Sequence, residues 1–367
     1  MEVPFVDLKA QYQSIKSEID GAIGRIIEQT AFVGGPIVRE FEEAFAEKMG
    51  VAHCIGCGNG TDSMEIILET LEIGPGDEVI VPANSWISTS EVLSRVGAKP
   101  VFVDIEPDFY TIDVSKIAEK ITPNTKAIIP VHLYGHPADM PAIMQLAEAH
   151  DLKVIEDCAQ SHLAAVDEQK VGTYGIAASF SFYPGKNLGA YGDAGCILTK
   201  DAALAARMRM LANHGQQGKH NHLIEGRNSR LDTLQAAILH AKLPFLEEWT
   251  ERRIENAETY TRLFEDYELV KAPKVREDFT HVFHLYVVRV QKREHVMRGL
   301  QEAGIQTAVH YPTALPLLPA YKGQGHKFSD FPVAAAYQSE ILSLPMYAEL
   351  TVDQIEYVVA HLSKITG

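Results

Sequence analysis

Short apolar runs alternate with amphipathic segments through the first half of the chain. Five runs rich in β-branched residues begin near residues 52, 78, 99, 125 and 153. The segment between the first two runs carries an apolar stripe with helical spacing, formed by Met64, Ile67, Leu68 and Leu71. Such a stripe buries one face of a helix against a neighbouring layer. The alternation predicts βα units, and therefore an α/β fold whose large domain has a mainly parallel sheet flanked by helices.

The pattern changes in the second half of the chain. Residues 213–230 are polar and contain glycine, which predicts an excursion loop. A long helical pattern follows from Leu231, and Pro244 predicts a kink or break within it. The remaining pattern indicates a helix, strands such as FTHVFHLYVVRV and two further helices. We therefore predict a large domain over residues 1–244 and a smaller C-terminal α+β domain over residues 245–367.

Composition narrows the function classes. The chain has 367 residues, of which 46% are hydrophobic and 22% charged, as in a globular protein with a large core. Lys plus Arg number 33 against 49 Asp plus Glu, and the resulting net charge of −16 disfavours binding to nucleic acid. The N-terminus lacks the pattern of a signal peptide, and no apolar span is long enough to cross a bilayer. With only four cysteines, we expect a cytoplasmic, reduced protein without a membrane partner.

The run AASFSFYPGKNLGAYGDAGCILT reads as a strand, a tight turn and a second strand. Period-2 alternation places Ser181 and Tyr183 on one face of the first strand, and Pro184 and Gly185 end it. Lys186 lies in the turn at the carboxyl end of that strand, where chemistry is found in α/β sheets. An isolated lysine is usually a solvated surface charge, but the glycine-dense turn makes Lys186 a candidate catalytic amine.

A second candidate follows the strand in VIEDCAQSH. Asp157 ends this strand, and its carboxylate either caps the next helix or belongs to a site at the same sheet edge. Pyridoxal 5′-phosphate needs a lysine that forms a Schiff base and an acid that keeps its ring nitrogen protonated. Lys186 and Asp157 together match that requirement.

A glycine-rich turn, GCGNGTDS, separates the first strand from the first amphipathic helix. The backbone N–H groups of Gly60, Thr61 and Asp62 would lie at the positive end of that helix and form a phosphate seat. The alternative is a plain helix N-terminus stabilised by Asp62. The spacing matches neither the dinucleotide fingerprint nor the P-loop, which argues against a nucleotide-binding oxidoreductase.

The sequence resembles the DegT/DnrJ/EryC1/StrS family of pyridoxal-phosphate-dependent sugar aminotransferases, members of the aspartate aminotransferase fold type I. The similarity extends from PFVDLKAQY to VHYP near residue 310, and its most specific segments are IEDCAQSH, SFYPGKNLGAYGDAG and NSRLDTLQAA. The resemblance implies a homodimer with shared active sites that transfers an amino group from L-glutamate to a nucleotide-linked keto sugar.

The resemblance also implies roles for individual residues. Lys186 would bind the cofactor aldehyde and Asp157 the pyridine nitrogen. The other implied cofactor contacts are Gln160 to the hydroxyl, Trp86 stacked on the ring, Gly60, Thr61 and Ser181 at the phosphate, and Asn228 reaching the phosphate of the neighbouring subunit. The alternatives are a core aromatic for Trp86 and a helix N-cap for Asn228.

The sequence identifies the substrate-binding residues less specifically than the cofactor-binding residues. His310 and Tyr311 in VHYP, together with Tyr183, are candidate sugar contacts, with ordinary packing as the alternative for the first two. Arg230 is the candidate for the diphosphate, with a structural ion pair at a helix start as its alternative. Because HYP resembles the subgroup that acts at sugar C3, we expect a 3-keto-6-deoxyhexose, with a 4-keto or other keto sugar as the alternative.

Two other members of the same family remain as alternatives. The dehydratase branch carries histidine in place of the lysine, so Lys186 argues against it. A non-catalytic regulatory protein would be expected to lose the Lys186 and Asp157 pair. A metal site is not expected, because His214, His220 and His222 lack partners with the spacing of a known site.

Overall fold

The computed structural model describes residues 1–367. Nine strands belong to the region before residue 245: β1 His53–Cys57, β2 Glu78–Pro82, β3 Lys99–Val103, β4 Thr125–Ile128, β5 Lys153–Asp157, β6 Ala165–Val166, β7 Gln169–Lys170, β8 Ala177–Ser181 and β9 Gly195–Thr199. Seven of them form one sheet in the order β1-β9-β8-β5-β4-β2-β3. Only β9 runs antiparallel to its neighbours, so the predicted mainly parallel sheet is confirmed.

Twelve α-helices are present: α1 Leu8–Ser14, α2 Lys16–Gln29, α3 Pro36–Met49, α4 Gly60–Thr70, α5 Ser88–Val96, α6 Met140–Ala149, α7 Ala202–Ala212, α8 Thr233–Lys242, α9 Leu246–Phe264, α10 Arg293–Glu302, α11 Pro332–Tyr337 and α12 Val352–Thr366. The apolar stripe of α4 is buried as predicted, with Met64, Ile67 and Leu68 inside the core. A 3-10 turn at Leu243–Phe245 separates α8 from α9, which confirms the break at Pro244.

The large sheet has an apolar core on each face. Cys54 and Cys57 show the division, because their odd spacing in β1 directs them into different cores. Phe180 of β8 lies on the same side as Cys54, where it packs edge to face with Phe45 of α3 at a centroid distance of 5.4 Å. Both faces of the sheet are therefore covered, and in such sheets ligands bind at the carboxyl edge.

The C-terminal part of the chain forms a second, smaller sheet with its own apolar core. Strands β10 Val270–Lys271, β11 Phe279–Thr280, β12 Tyr286–Val290 and β13 Ile341–Leu344 complete the set, and β10-β12-β13 form an antiparallel sheet. A separate apolar core surrounds that sheet and includes residues of α9, α10 and α12. Val3 joins this core and pairs with Ile305, so the N-terminal segment also packs on the C-terminal part.

Three short strands form a small additional sheet in the order β11-β6-β7. It joins the loop after β5 to the segment that leads into β12. None of the twelve helices has the length and continuous apolar character needed to cross a lipid bilayer.

Candidate active site

The candidate residues meet where neighbouring strands end. Asp157 is the last residue of β5 and Ser181 the last of β8, and the two strands are parallel neighbours. Lys186 lies in the connection from β8 to β9, residues 182–194, which we call the Lys186 turn. The N–H of Lys186 donates to the carbonyl of Tyr183 at 2.8 Å. Gly60 begins α4 directly after β1, which runs parallel to β8. Sheet topology thus brings together residues that are far apart in sequence.

The Asp157 carboxylate is buried and held by two donors. Thr89 Oγ1 donates to Asp157 Oδ2 at 2.8 Å, and the backbone N–H of Ala159 donates to Oδ1 at 3.2 Å. Thr89 is itself fixed by a 2.8 Å hydrogen bond with Ser85. A buried carboxylate whose two oxygens both accept hydrogen bonds keeps one orientation. Asp157 does not cap a helix, because α6 ends before it and β6 follows.

The Lys186 amine lies in a desolvated setting. Burial lowers the pKa of Lys186 to about 8 because the charged ammonium loses water, while the nearby Asp157 carboxylate acts in the opposite direction. A lysine with such a pKa is partly neutral near pH 8. The neutral amine is the form that attacks a carbonyl carbon.

The N-terminus of α4 forms a tight seat beside β8. A Cβ on Gly60 would lie 2.9 Å from the Cβ of Ser181, so only glycine lets the two backbones approach this closely. The Thr61 hydroxyl lies 2.8 Å from that of Ser88 at the start of α5. The N–H groups of Gly60 and Thr61 belong to the first helical turn, where no intrahelical acceptor is available. These groups could hold a phosphate.

Asp62 departs from the predicted phosphate set. Its N–H already donates to the side chain of the N-cap residue Asn59 at 2.8 Å. Its carboxylate lies toward Gly58, where a Cβ would be 3.3 Å from Asp62 Oδ2. The Asp62 N–H, which the sequence prediction assigns to the phosphate, therefore already has an acceptor in the helix cap.

Gln160 joins two elements around the site. Its side-chain oxygen accepts from the N–H of Tyr134 at 2.6 Å, and its Nε2 donates to the hydroxyl of Tyr311 at 3.1 Å. The Tyr311 ring is tilted against Trp86 at a centroid distance of 5.5 Å. The side chain of Trp86 is 58% exposed, so the alternative of a core aromatic is wrong. Trp86 instead presents an open aromatic face.

His310 is placed beside this group by the C-terminal part of the chain. Its Nδ1 lies 2.8 Å from the hydroxyl of Ser343 in β13. Burial lowers the pKa of His310 to about 4, and the positive charge of Lys186 acts in the same direction. His310 is therefore neutral at physiological pH. The carbonyl of His310 accepts a hydrogen bond from the hydroxyl of Tyr134.

Asn228 and Arg230 lie on the excursion loop, and the intervening Ser229 accepts a 3.0 Å hydrogen bond from the N–H of Gly58, just before α4. Asn228 is exposed and forms a backbone bridge with Asn213. The N-cap position of α8 belongs to Asp232, so the alternative of a helix N-cap for Asn228 is wrong. Arg230 donates to the side-chain oxygen of Asn213 at 3.3 Å rather than to a carboxylate, so the alternative of a structural ion pair is also wrong.

Several side chains around the site were not predicted. Thr89 orients Asp157, as described above, and Asn187 ties the Lys186 turn to the loop before β12. Asn187 Nδ2 donates to the carbonyl of Val282 at 3.1 Å, and His284 Nδ1 donates to Asn187 Oδ1 at 3.1 Å. Asn187 could have been proposed from the sequence, because it directly follows Lys186. Nothing in the local pattern indicates Thr89 or His284, whose roles depend on distant partners.

The donor set fits pyridoxal 5′-phosphate. That group requires an amine for its aldehyde, an acid for its ring nitrogen and donors for its phosphate. Lys186, Asp157 and the first turn of α4 supply groups of these kinds at one sheet edge. Trp86 adds an exposed aromatic surface of the kind on which a flat ring can stack.

Comparison with known proteins agrees with this chemistry. The sequence matches the profile of the DegT/DnrJ/EryC1/StrS aminotransferase family over residues 13–363. It is 45% identical to a pleiotropic regulatory protein of Geobacillus stearothermophilus, covering 99% of this chain and 98% of the relative. It is 44% identical to the UDP-N-acetyl-3-dehydro-alpha-D-glucosamine 3-aminotransferase of Acidithiobacillus ferrooxidans, covering 96% and 95%.

The structure is similar to solved aminotransferases as well. The crystal structure of S. venezuelae DesV in complex with a ketimine intermediate superposes with a TM-score of 0.96 at 40% identity, covering 99% of this chain and 98% of that one. The chain belongs to the DegT/DnrJ/EryC1/StrS aminotransferase family, which confirms the predicted fold, the predicted cofactor and the predicted pyridoxal-phosphate-dependent aminotransferase activity.

Proposed function

We propose that this aminotransferase is a homodimer that moves an amino group from L-glutamate to a nucleotide-linked 3-keto-6-deoxyhexose. The observation that carries the proposal is the pairing of a desolvated Lys186 with a fixed Asp157 carboxylate at one edge of the sheet. The A. ferrooxidans relative is named for transfer to position 3 of a UDP sugar, which supports the choice of a 3-keto substrate.

Lys186 has two tasks in this proposal. Its neutral amine would hold the cofactor through the cofactor's aldehyde. Lys186 Nζ would also be placed to accept a proton from the substrate carbon and to give that proton up again. The pKa of about 8 suits this exchange, because the amine can both take up and release a proton near neutral pH.

Asp157 has an electrostatic task. The bound cofactor supplies an electron sink for the charge that forms when the substrate carbon loses its proton. The Asp157 carboxylate favours the protonated ring nitrogen, which strengthens that sink. The hydrogen bonds from Thr89 and Ala159 keep the carboxylate in one orientation. Gln160 is proposed to approach the ring hydroxyl from its position between Tyr134 and Tyr311.

The phosphate is proposed to bind Gly60, Thr61 and Ser181 of one subunit and Asn228 of the other. The exposed position of Asn228 on the excursion loop supports a role across an interface. Large apolar side chains are exposed near the start of α3 and the start of α8. Phe32 is 47% and Val33 60% exposed, and the backbone of Val33 pairs with Asp232. A second subunit would cover this surface.

The sugar is proposed to bind between the large domain, residues 1–244, and the C-terminal domain, residues 245–367. Tyr183 is 59% exposed. From the C-terminal part, Tyr311 contacts Gln160, and the charge of Lys186 acts on His310. Arg230 is proposed to bind the diphosphate, since its guanidinium has no carboxylate partner. The four cysteines are buried free thiols, which supports a reducing, cytoplasmic location.

A matched set of substrates tests this proposal. We would incubate the holoenzyme with L-glutamate and either a 3-keto or a 4-keto 6-deoxyhexose on the same nucleotide, and follow product mass together with 2-oxoglutarate. The expected result is an amino sugar and an equal amount of 2-oxoglutarate from the 3-keto compound. Conversion of only the 4-keto compound would contradict the assigned position, and conversion of neither would contradict the sugar class.

A further inference from the structure

Helix α8 makes two hydrogen bonds with the Lys186 turn. The side-chain oxygen of Gln235 accepts from the N–H of Tyr191 at 2.8 Å. The ammonium of Lys242 donates to the carbonyl of Gly189 at 2.7 Å. Gln235 and Lys242 are two helical turns apart and therefore lie on the same face of α8.

Lys242 is an unusual residue for the interior of a protein. Its side chain has no exposed surface, and its ammonium makes a second hydrogen bond to the side-chain oxygen of Gln11 in α1 at 3.0 Å. The ammonium also lies 4.3 Å from the centroid of the Tyr191 ring. Three separate parts of the chain, namely α1, α8 and the Lys186 turn, thus share one buried cation.

A buried ammonium costs free energy unless its donors are satisfied. Burial lowers the pKa of Lys242 to about 8, while the negative charge of Glu349 acts in the opposite direction. A methionine of similar length could fill the same space without this desolvation cost. Packing alone therefore does not account for a lysine at this position, whereas a bond to the carbonyl of Gly189 does.

We propose that Lys242 is a positioning residue for Lys186, acting through Gly189 in the Lys186 turn. Lys242 does not touch the cofactor in this proposal. Its bond to Gly189, together with the bond from Tyr191 to Gln235, keeps the turn packed and the Lys186 amine in its desolvated position. The proposal rests on the proposed role of Lys186, but not on the identity of the sugar.

Loosening the turn should change the environment of the amine in a measurable direction. The pKa of Lys186 is low because burial disfavours its charged form. The charged and titratable groups around it are the Asp157 carboxylate and the imidazoles of His162, His284 and His310. None of these belongs to α8, so removal of the Lys242 bond leaves them in place. Water entering a loosened turn would raise the pKa of Lys186.

The experiment measures the amine in the absence of cofactor and substrate. Apoenzyme is pulse-labelled with an amine-acylating reagent across a pH series, and the labelled Lys186 peptide is quantified by mass spectrometry. In the native chain the labelling midpoint of Lys186 should lie at about 8. In Lys242→Met it should rise by about one pH unit or more, toward the value of a solvated lysine.

Two further variants keep the test decisive. Lys200→Met is the matched control, because Lys200 also donates to a backbone carbonyl, that of Thr173, at the opposite edge of the sheet. It should leave the Lys186 midpoint unchanged.

Gln235→Met removes the second contact of α8 at a less buried position and should raise the midpoint even if Lys242→Met does not fold. A midpoint unchanged in Gln235→Met and in any folded Lys242→Met would overturn the proposal. Labelling of Lys186 is independent of turnover, so failure of the sugar assignment would not affect this result.

Discussion

Asp157 and Thr89 show how one hydroxyl can prepare a catalytic carboxylate. The Thr89 hydroxyl donates to Asp157 over a separation of 68 residues, and its own lone pair is engaged by Ser85. Because both residues are buried, water does not replace a lost hydrogen bond easily. The orientation of the Asp157 carboxylate is therefore a property of β5 and α5 together.

Asp157→Asn tests the charge at this position. The amide has nearly the same shape, so the variant should still bind the cofactor, but it cannot hold the ring nitrogen protonated. We expect turnover to fall by on the order of 100-fold or more, because the electrostatic stabilisation of the developing charge is lost. Steady-state kinetics with L-glutamate and the preferred keto sugar measure the effect. Turnover close to that of the native enzyme would rule out the pyridinium role.

Thr89→Val tests the orientation of the same carboxylate. The variant removes one hydrogen bond to Asp157 without changing side-chain size, and we expect a kcat several-fold lower at saturating substrate. Thr70→Val is the matched control, because the Thr70 hydroxyl is buried without a hydrogen-bond partner and lies in α4. Equal kcat values in the two variants would show that the Thr89 hydrogen bond does not contribute.

At the scale of elements, the main sheet was predictable because its strands lie in short apolar runs between amphipathic segments. β1 to β5, β8 and β9 all lie where the pattern places them. The two-residue strands β6, β7 and β11 were not predictable, since no periodicity exists over two residues. Lys186 and Asp157 could be proposed from the sequence because Asp157 ends a strand and Lys186 lies in the glycine-rich turn that follows one. Thr89 and Lys242 could not, because their partners are 68 and 53 residues away and only the folded chain brings them together.

Asn228 on the excursion loop is the basis for predicting that two subunits share each active site. If Asn228 completes the phosphate seat of the neighbouring subunit, then Lys186→Ala and Asn228→Ala chains should complement each other. Heterodimers isolated with two different affinity tags should have one site with both native residues and about half of the native activity. Each homodimeric variant serves as a control and should be inactive or severely impaired. A heterodimer as inactive as the controls would place Asn228 in the site of its own subunit.

For the whole molecule, buried histidines predict how stability depends on pH. Burial lowers the pKa of His136 and His310 to about 4 and that of His162 to about 3, from a value of 6.5. The unfolded chain therefore binds more protons than the folded chain between about pH 4 and 6.5. Stability must fall as the pH is lowered through this range, by on the order of a few kcal/mol.

Urea unfolding at pH 7 and pH 5, at one protein concentration, measures this loss. His162 lies among the rings of Phe45, Phe180 and Phe182, and neither of its ring nitrogens has a hydrogen-bond partner. His162→Phe should therefore fold and should lose less stability on acidification than the native chain. An unfolding midpoint that is the same at both pH values in the native chain would contradict the burial argument.

The central claim is that Lys186 holds the cofactor, and borohydride reduction tests it most directly. Reduction of the holoenzyme fixes pyridoxal phosphate to the lysine that carries it, and peptide mapping then locates the modified residue. Lys242 is the natural competitor, because its pKa is also lowered to about 8. We predict that the modified peptide contains Lys186 and that Lys186→Ala yields no modified peptide. Recovery of the cofactor on Lys242, or on any other lysine, would contradict the account.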